Sequence, residues 1–464
     1  MTRHSVRLRV LRALGLLGLV ALLPLPGCTH DLLQVTDPDI IPDVNTASGA
    51  LALKNGVIFR LEQVTAGLGG NGPDNLFIYG GLLADEWRSG DTFVQRNDMD
   101  QRLFDPTNTF LAGPLRSLNR VRVEGRTAID KLRAYAPTPV SNVGLMFALT
   151  AFVDNLAGEY YCNGIPLSFP NPDGTFSFGD PVSDDSMFAL AAATADSALA
   201  NRAGADSVRV RQLASIVKAR ALLNRGQFAA AAAAVADDVT TRFRYNATYS
   251  VNAGQNEIWN LNASIKRYSM GDKEGGNGLP FATATDPRIP RKIGGRVFDS
   301  ATPLTAITEG IWDRYSPVAI ATGVEARLIE AEATLKAGDA ATWLAKLNQL
   351  RADPKLLPTP IDTSYRPVAG TTLAPLADPV LDTARVSLLF SERAFWLFST
   401  GHRLGDMRRL VRPTTAGGYG RAVNSVYPNG AWFKGGNYGD AIQMVLPVEE
   451  LNNPNYHGCA DRNP

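Results

Sequence analysis

Histidine is scarce in this chain. There are four in 464 residues, and His4, His30 and His457 lie near the ends, which leaves His402 alone in the body. A zinc site built on imidazoles or a Ser-His triad would have to be assembled around that one residue. The motifs G-x-x-x-x-G-K-S/T, H-E-x-x-H, G-x-S-x-G and paired C-x-x-C are missing as well. Their lack removes the phosphate-cradling loop, the zinc-protease helix, the nucleophile elbow and the zinc ribbon. GLGGNG at 67–72 has the spacing of a dinucleotide fingerprint, but a helical pattern precedes it and Pro73 follows, so it reads as a flexible loop. Asn171, Asp173 and Gly174 lack the closing glutamate of a calcium loop. No cofactor and no metal are expected. Basic and acidic residues nearly balance, 46 against 45 for a net charge of +1, so nothing argues for a nucleic-acid partner. Carboxylates are plentiful, and glycoside hydrolysis needs only two of them, but no pair stands out.

What is present is enough apolar material for a large core, 45% of the chain, together with 42 glycines and 29 prolines that imply many loops. Helical periodicity runs through 46–64, with Ser48 as a cap, and through 110–135, 141–161 and 183–200. Residues 208–235 contain two helices broken at Gly226, and 324–350 repeat the pattern. The shared core is A-x-A-x-L-x-x-G, at Ala219 to Gly226 and at Ala331 to Gly338. Small residues let two antiparallel helices approach and the glycine turns the chain, which is the logic of a tetratricopeptide hairpin. The fold class expected is therefore mainly α. Between the copies, 240–323 is rich in Asn, Gly, Pro and aromatics, and its aromatic content argues for a functional insertion over disorder. Residues 169–180 read as a loop or hairpin.

The densest pattern is VSLLFSERAFWLFSTGHRLGDMRRLV at 386–411. Val386, Leu389, Phe390, Ala394 and Leu397 share one helical face, and Gly401 is the natural stop before a second short helix. Glu392 and Arg393 in the first helix, with Arg403, Asp406, Arg408 and Arg409 in the second, suggest an ion-pair lock between them. An active site built from Glu392, His402 and Asp406 is the alternative.

This ER-x(7)-GHR-x-x-D-x-R-R pattern resembles the C-terminal signature of the SusD/RagB family. LLADEWRSGDTF at 82–93, GEYYCNGIPLS at 158–168, AEA-x-L-x-x-G at 331–338 with Asn348 and Arg351, and P-x-x-E-x-x-NPN ending at Asn455 resemble further parts of it in order. The resemblance implies an outer-membrane lipoprotein with degenerate tetratricopeptide-type hairpins. Such a protein captures an oligosaccharide or peptide for a TonB-dependent outer-membrane transporter and is not an enzyme. Basic residues ahead of a short leucine-rich run make 1–27 a signal peptide. LPGC resembles a lipobox, so Cys28 would carry the lipid, and 28–45 would be the tether of a surface-facing protein. Residues 46–464 would then form one domain, with loop-rich insertions near 65–110, 162–182, 240–323 and 412–445. With Cys28 taken, Cys162 and Cys459 are an even pair available for a disulfide, the alternative being two separate buried thiols. A surface glycoside hydrolase and a helical-repeat adaptor without small ligand are the competing functions. Sugars present CH faces ringed by hydroxyls, which aromatic plates with polar rims match. By residue type and loop context, the plates expected are Trp87, Tyr268, Trp312 and Trp432, of which at least one should line a glycan site. Trp343 and Trp396 are expected in the core.

Overall fold

The computed structural model describes residues 43–69, 75–171, 173–306, 308–367 and 372–464. The leader, Cys28, most of the tether and the second half of the GLGGNG segment lie outside the described residues. Among the described residues no helix is long and apolar enough to cross a membrane.

The periodic segments form the helices α1 (Ala47–Val64), α2 (Leu76–Leu83), α3 (Val94–Asp100), α4 (Ala112–Tyr135), α5 (Ser141–Tyr160), α6 (Asp184–Ala200), α7 (Ser207–Asn224), α8 (Phe228–Val235), α9 (Gly323–Lys336), α10 (Ala340–Ala352), α11 (Asp382–Trp396) and α12 (Arg403–Val411). The cap of α1 is Thr46, whose hydroxyl accepts from the Gly49 amide at 3.0 Å, and not Ser48. Thr46 has the extended backbone that a cap requires, whereas Ser48 is already helical.

The scaffold is a chain of antiparallel helix pairs. α1 packs on α4, α4 on α5, α5 on α6, α6 on α7 and α7 on α8. α9 then docks on α8 and carries α10 and α11, so the two repeated hairpins are neighbours in space despite the insertion between them. Gly226 (φ +70°) and Gly338 (φ +83°) make the hairpin turns in the left-handed conformation that favours glycine. Close approach is also built in: a Cβ at Gly158 of α5 would press on the Phe188 ring of α6.

The insertions form short ribbons on this scaffold. β1 (Trp87–Ser89) pairs antiparallel with a later strand, Tyr268–Met270. A hairpin joins β2 (Phe169–Pro170) to β3 (Phe176–Ser177), where the turn residues pointed to one. In the long insertion, β4 (Arg244–Ala247) pairs with β8 (Val318–Thr322) and closes its base. Within it lie β5 (Tyr268–Met270, the partner of β1) and the hairpin β6 (Lys292–Arg296) with β7 (Pro303–Ala306). Cys162, just past α5, is bonded to Cys459, with the two Cα atoms 5.8 Å apart.

Candidate functional site

The signature segment is the base of the site. Asp406 of α12 accepts from Arg393 of α11 in a bidentate pair, Nε at 2.7 Å and Nη2 at 2.9 Å, and from Arg409 Nη2 at 2.8 Å. Burial alone would raise its pKa, but the two guanidinium groups hold the carboxyl well below the usual range. Glu392 does not take part in this lock. It faces the other way and pairs with Arg288 at 2.9 Å and Arg351 at 2.7 Å. Consecutive residues on a helix point about 100° apart, which separates the partners of Glu392 and Arg393. Arg408 pairs with Asp184 at the start of α6, and Arg409 with Glu332 of α9 at 3.0 Å. His402 Nε2 lies 3.0 Å from Glu325, and its Nδ1 lies 2.9 Å from the Thr400 hydroxyl. Glu392, His402 and Asp406 are all buried and engaged: Glu392 holds Arg288 and Arg351, while Arg220, Glu159, Asn224 and Arg409 link His402 to Asp406 in one network.

This base also positions the loops. Arg403 forks onto Asp85, with Nε at 2.6 Å and Nη2 at 2.8 Å, and the second Asp85 oxygen accepts from the Leu279 amide at 2.8 Å. Glu86 accepts from the Ser399 amide at 2.8 Å, and its burial raises its pKa to about 8. The adjacent carboxylates of the 82–93 segment therefore tie two insertions to α12.

Beyond Ser89 three insertions meet. The Gly90 amide donates to the Arg267 carbonyl at 2.8 Å, Asp299 donates to the Gly90 carbonyl at 2.9 Å, and Phe298 donates to the Lys266 carbonyl at 2.8 Å. Gly90 permits this approach, because a Cβ there would overlap the Val297 side chain. Asp91 is buried beneath the junction and pairs with Arg96 and, at 2.5 Å, with Arg267. Lys434, from the 412–445 insertion, donates to the Asp91 carbonyl at 2.7 Å and pairs with Asp299 at 2.9 Å.

On this ion-paired floor sit exposed rings. Phe93 is 46% exposed, Phe298 49% and Phe433 37%. The Arg267 guanidinium lies 4.9 Å from the Phe93 centroid and 4.0 Å from that of Phe298, and Arg88 lies 4.6 Å from that of Phe433. Cation–π contact fixes each ring while leaving apolar surface in water. Five of the eight described non-glycine residues with left-handed backbone, Arg102, Lys266, Lys273, Thr285 and Ser300, lie in the 65–110 and 240–323 insertions. Such conformations persist where surrounding structure enforces them, and they cluster at ligand-binding loops.

The four rings chosen from sequence are not surface plates. Trp87 and Tyr268 are fully buried, because the pairing of β1 with β5 turns both into the core; the Trp87 indole donates to the Ser399 hydroxyl at 3.0 Å. Trp432 is 8% exposed and packs on Phe433, with its indole 3.3 Å from Asp100. Burial and neighbouring Glu274 raise the Asp100 pKa to about 8. Trp312 is 4% exposed, yet it lines a cavity of about 240 Å³ against α11. Trp343 is buried, whereas Trp396 is partly exposed on the wall of that same cavity. Exposed phenylalanines lie near two of the residues chosen: Phe433 follows Trp432, and Phe93 closes the 82–93 segment that contains Trp87. Their signal was a ring flanked by Asp or Lys in a Gly-rich loop, in GDTF, VFDS and WFKGG.

No protein-family model matches the chain, and no curated protein matches it in sequence. Solved structures do match. A SusD superfamily protein from Parabacteroides distasonis superposes with TM-score 0.63 at 14% identity, covering 89% of this chain and 98% of that one. A SusD-like carbohydrate binding protein from Bacteroides vulgatus gives 0.56 at 12% identity, over 78% of this chain and 83% of the other. A laminarin binding SusD-like protein gives 0.54 at 13%, over 89% and 99%. The chain thus has the mainly α, SusD-like fold, with tetratricopeptide-type hairpins as scaffold and loop insertions as ornament.

Proposed function

We propose that this protein belongs to the SusD/RagB family and is a carbohydrate-binding protein that captures a glycan on the face formed by Phe93, Phe298 and Phe433. The observation that carries the reading is the meeting of three separate insertions to hold exposed rings over a buried ion-paired floor. Rings held this way meet the CH face of a sugar without having to be ordered on binding, and Lys434, Asp299 and Arg88 supply polar partners at the rim. Fold neighbours described as carbohydrate-binding and laminarin-binding support the same ligand class. The task is capture and not turnover: Asp91, Asp299 and Glu274 on this face are each engaged with a cation. Lipidation of Cys28 would anchor the chain at the outer membrane, facing the cell surface, where it would deliver the ligand to a TonB-dependent transporter. Fractionation of cells carrying Cys28→Ser tests the anchor, and the variant should leave the membrane fraction. Retention equal to wild type would remove that part of the proposal. Affinity measurement against neutral oligosaccharides tests the ligand class, and binding of peptides alone would replace it.

A further inference from the structure

Away from the aromatic face, and sharing none of its residues, lies the cavity against the C-terminal end of α11. The β4–β8 ribbon, the 355–358 segment and α11 wall it, and its volume of about 240 Å³ suits a single ring. Its lining includes Arg242, Arg244, Arg288 and Lys355 but no Asp or Glu, while Trp312 and Trp396 add flat apolar wall. Two of the four cations are already answered. Arg242 pairs with Asp353 at 3.0 Å, and Arg288 pairs with Asp286 at 2.6 Å and Glu392 at 2.9 Å. Arg244 and Lys355 have no ion-pair partner among the described residues. Partial burial lowers the Arg244 pKa, and no carboxylate acts to restore it. A guanidinium and an ammonium on a cavity wall with no counter-charge suit a bound anion.

We propose that this cavity is a second binding site, selective for a carboxylate carried on a ring-sized ligand. Arg244 and Lys355 take the carboxylate, and Trp312 and Trp396 pack on the ring. Two sources share this chemistry, a hexuronic acid unit of an acidic glycan and the C-terminal residue of a peptide. A neutral sugar does not satisfy the two cations.

Titration calorimetry on the full chain tests the site with methyl glucuronide, methyl glucoside and N-acetylphenylalanine as probes. At least one of the two acids should bind, and methyl glucoside should bind at least about tenfold more weakly, ~1.4 kcal/mol. The acid that binds identifies the source. Arg244→Gln with Lys355→Gln should weaken the acid by about tenfold or more. Both side chains belong to exposed residues outside the core, so the melting temperature of this variant should match the wild type. Equal affinity for glucoside and glucuronide, unchanged affinity in the folded double variant, or no binding of either acid would each overturn the proposal.

Discussion

Asp406→Asn is nearly isosteric, so its effect isolates the charge at the centre of the α11–α12 lock. Asp406 is 1% exposed and receives three hydrogen bonds from Arg393 and Arg409. After the change, Arg409 keeps Glu332 at 3.0 Å, but the nearest remaining carboxylate to Arg393 is Glu332 at 3.8 Å, with its Nη1 already lacking a hydrogen bond. A buried guanidinium that loses its carboxylate costs about 3–5 kcal/mol. That is a large share of a net stability of about 5–15 kcal/mol. Unfolding entropy of about 2 cal/mol/K per residue, over a body of this size, converts the loss into a melting-temperature drop of roughly 4–6 °C. Scanning calorimetry and urea unfolding of the variant measure it, with glycan binding followed in parallel below the transition. An unchanged melting temperature with loss of binding would refute the structural assignment and make Asp406 part of the site.

Two further outcomes follow from the electrostatics and packing. Glu86 and Asp100, with pKa values of about 8 against ordinary values of 4.5 and 3.8, bind protons more tightly folded than unfolded. Their contribution is full below the ordinary carboxylate range and is lost as pH rises towards about 8, so denaturation midpoints should fall across that window, and Asp100→Asn should flatten the fall. A midpoint that climbs steadily from pH 5 to 8, unaltered in Asp100→Asn, would contradict this. Gly90→Ala places a methyl against Val297 at the junction of the insertions, which should cost about 1–3 kcal/mol and weaken glycan binding, while Val297→Ala in the same chain restores part of both. Wild-type stability and affinity in Gly90→Ala would mean that the junction is loose.

The scaffold was legible because its signals are local. Periodic apolar faces, A-x-A-x-L-x-x-G and a glycine at each hairpin turn all act within one or two helices. Arg393 and Asp406 could be paired from sequence because a single glycine turn separates their helices. Glu392 could not, since its partners Arg288 and Arg351 lie 104 and 41 residues away. Two of the rings chosen from sequence are buried for a similar reason. Trp87 and Tyr268 sit in loop-like sequence, but each is buried by a strand pairing that joins residues some 180 positions apart. Choosing tryptophan and tyrosine over phenylalanine then passed over the neighbours that face water. Burial of a ring in an insertion depends on which other insertion covers it, and composition does not carry that information.

The central claim is that the exposed phenylalanines bind sugar while the neighbouring tryptophan holds the fold. Titration calorimetry with neutral oligosaccharides, alongside melting curves, on Phe93→Ala, Phe298→Ala, Phe433→Ala and Trp87→Ala tests it directly. The three phenylalanine variants should melt close to wild type, and each should lose about 1–3 kcal/mol of binding, by analogy with base stacking on aromatic side chains. Trp87→Ala should instead lose about 3–5 kcal/mol of stability, as large core truncations do. Full affinity in all three phenylalanine variants, or losses that track their melting temperatures, would contradict the account.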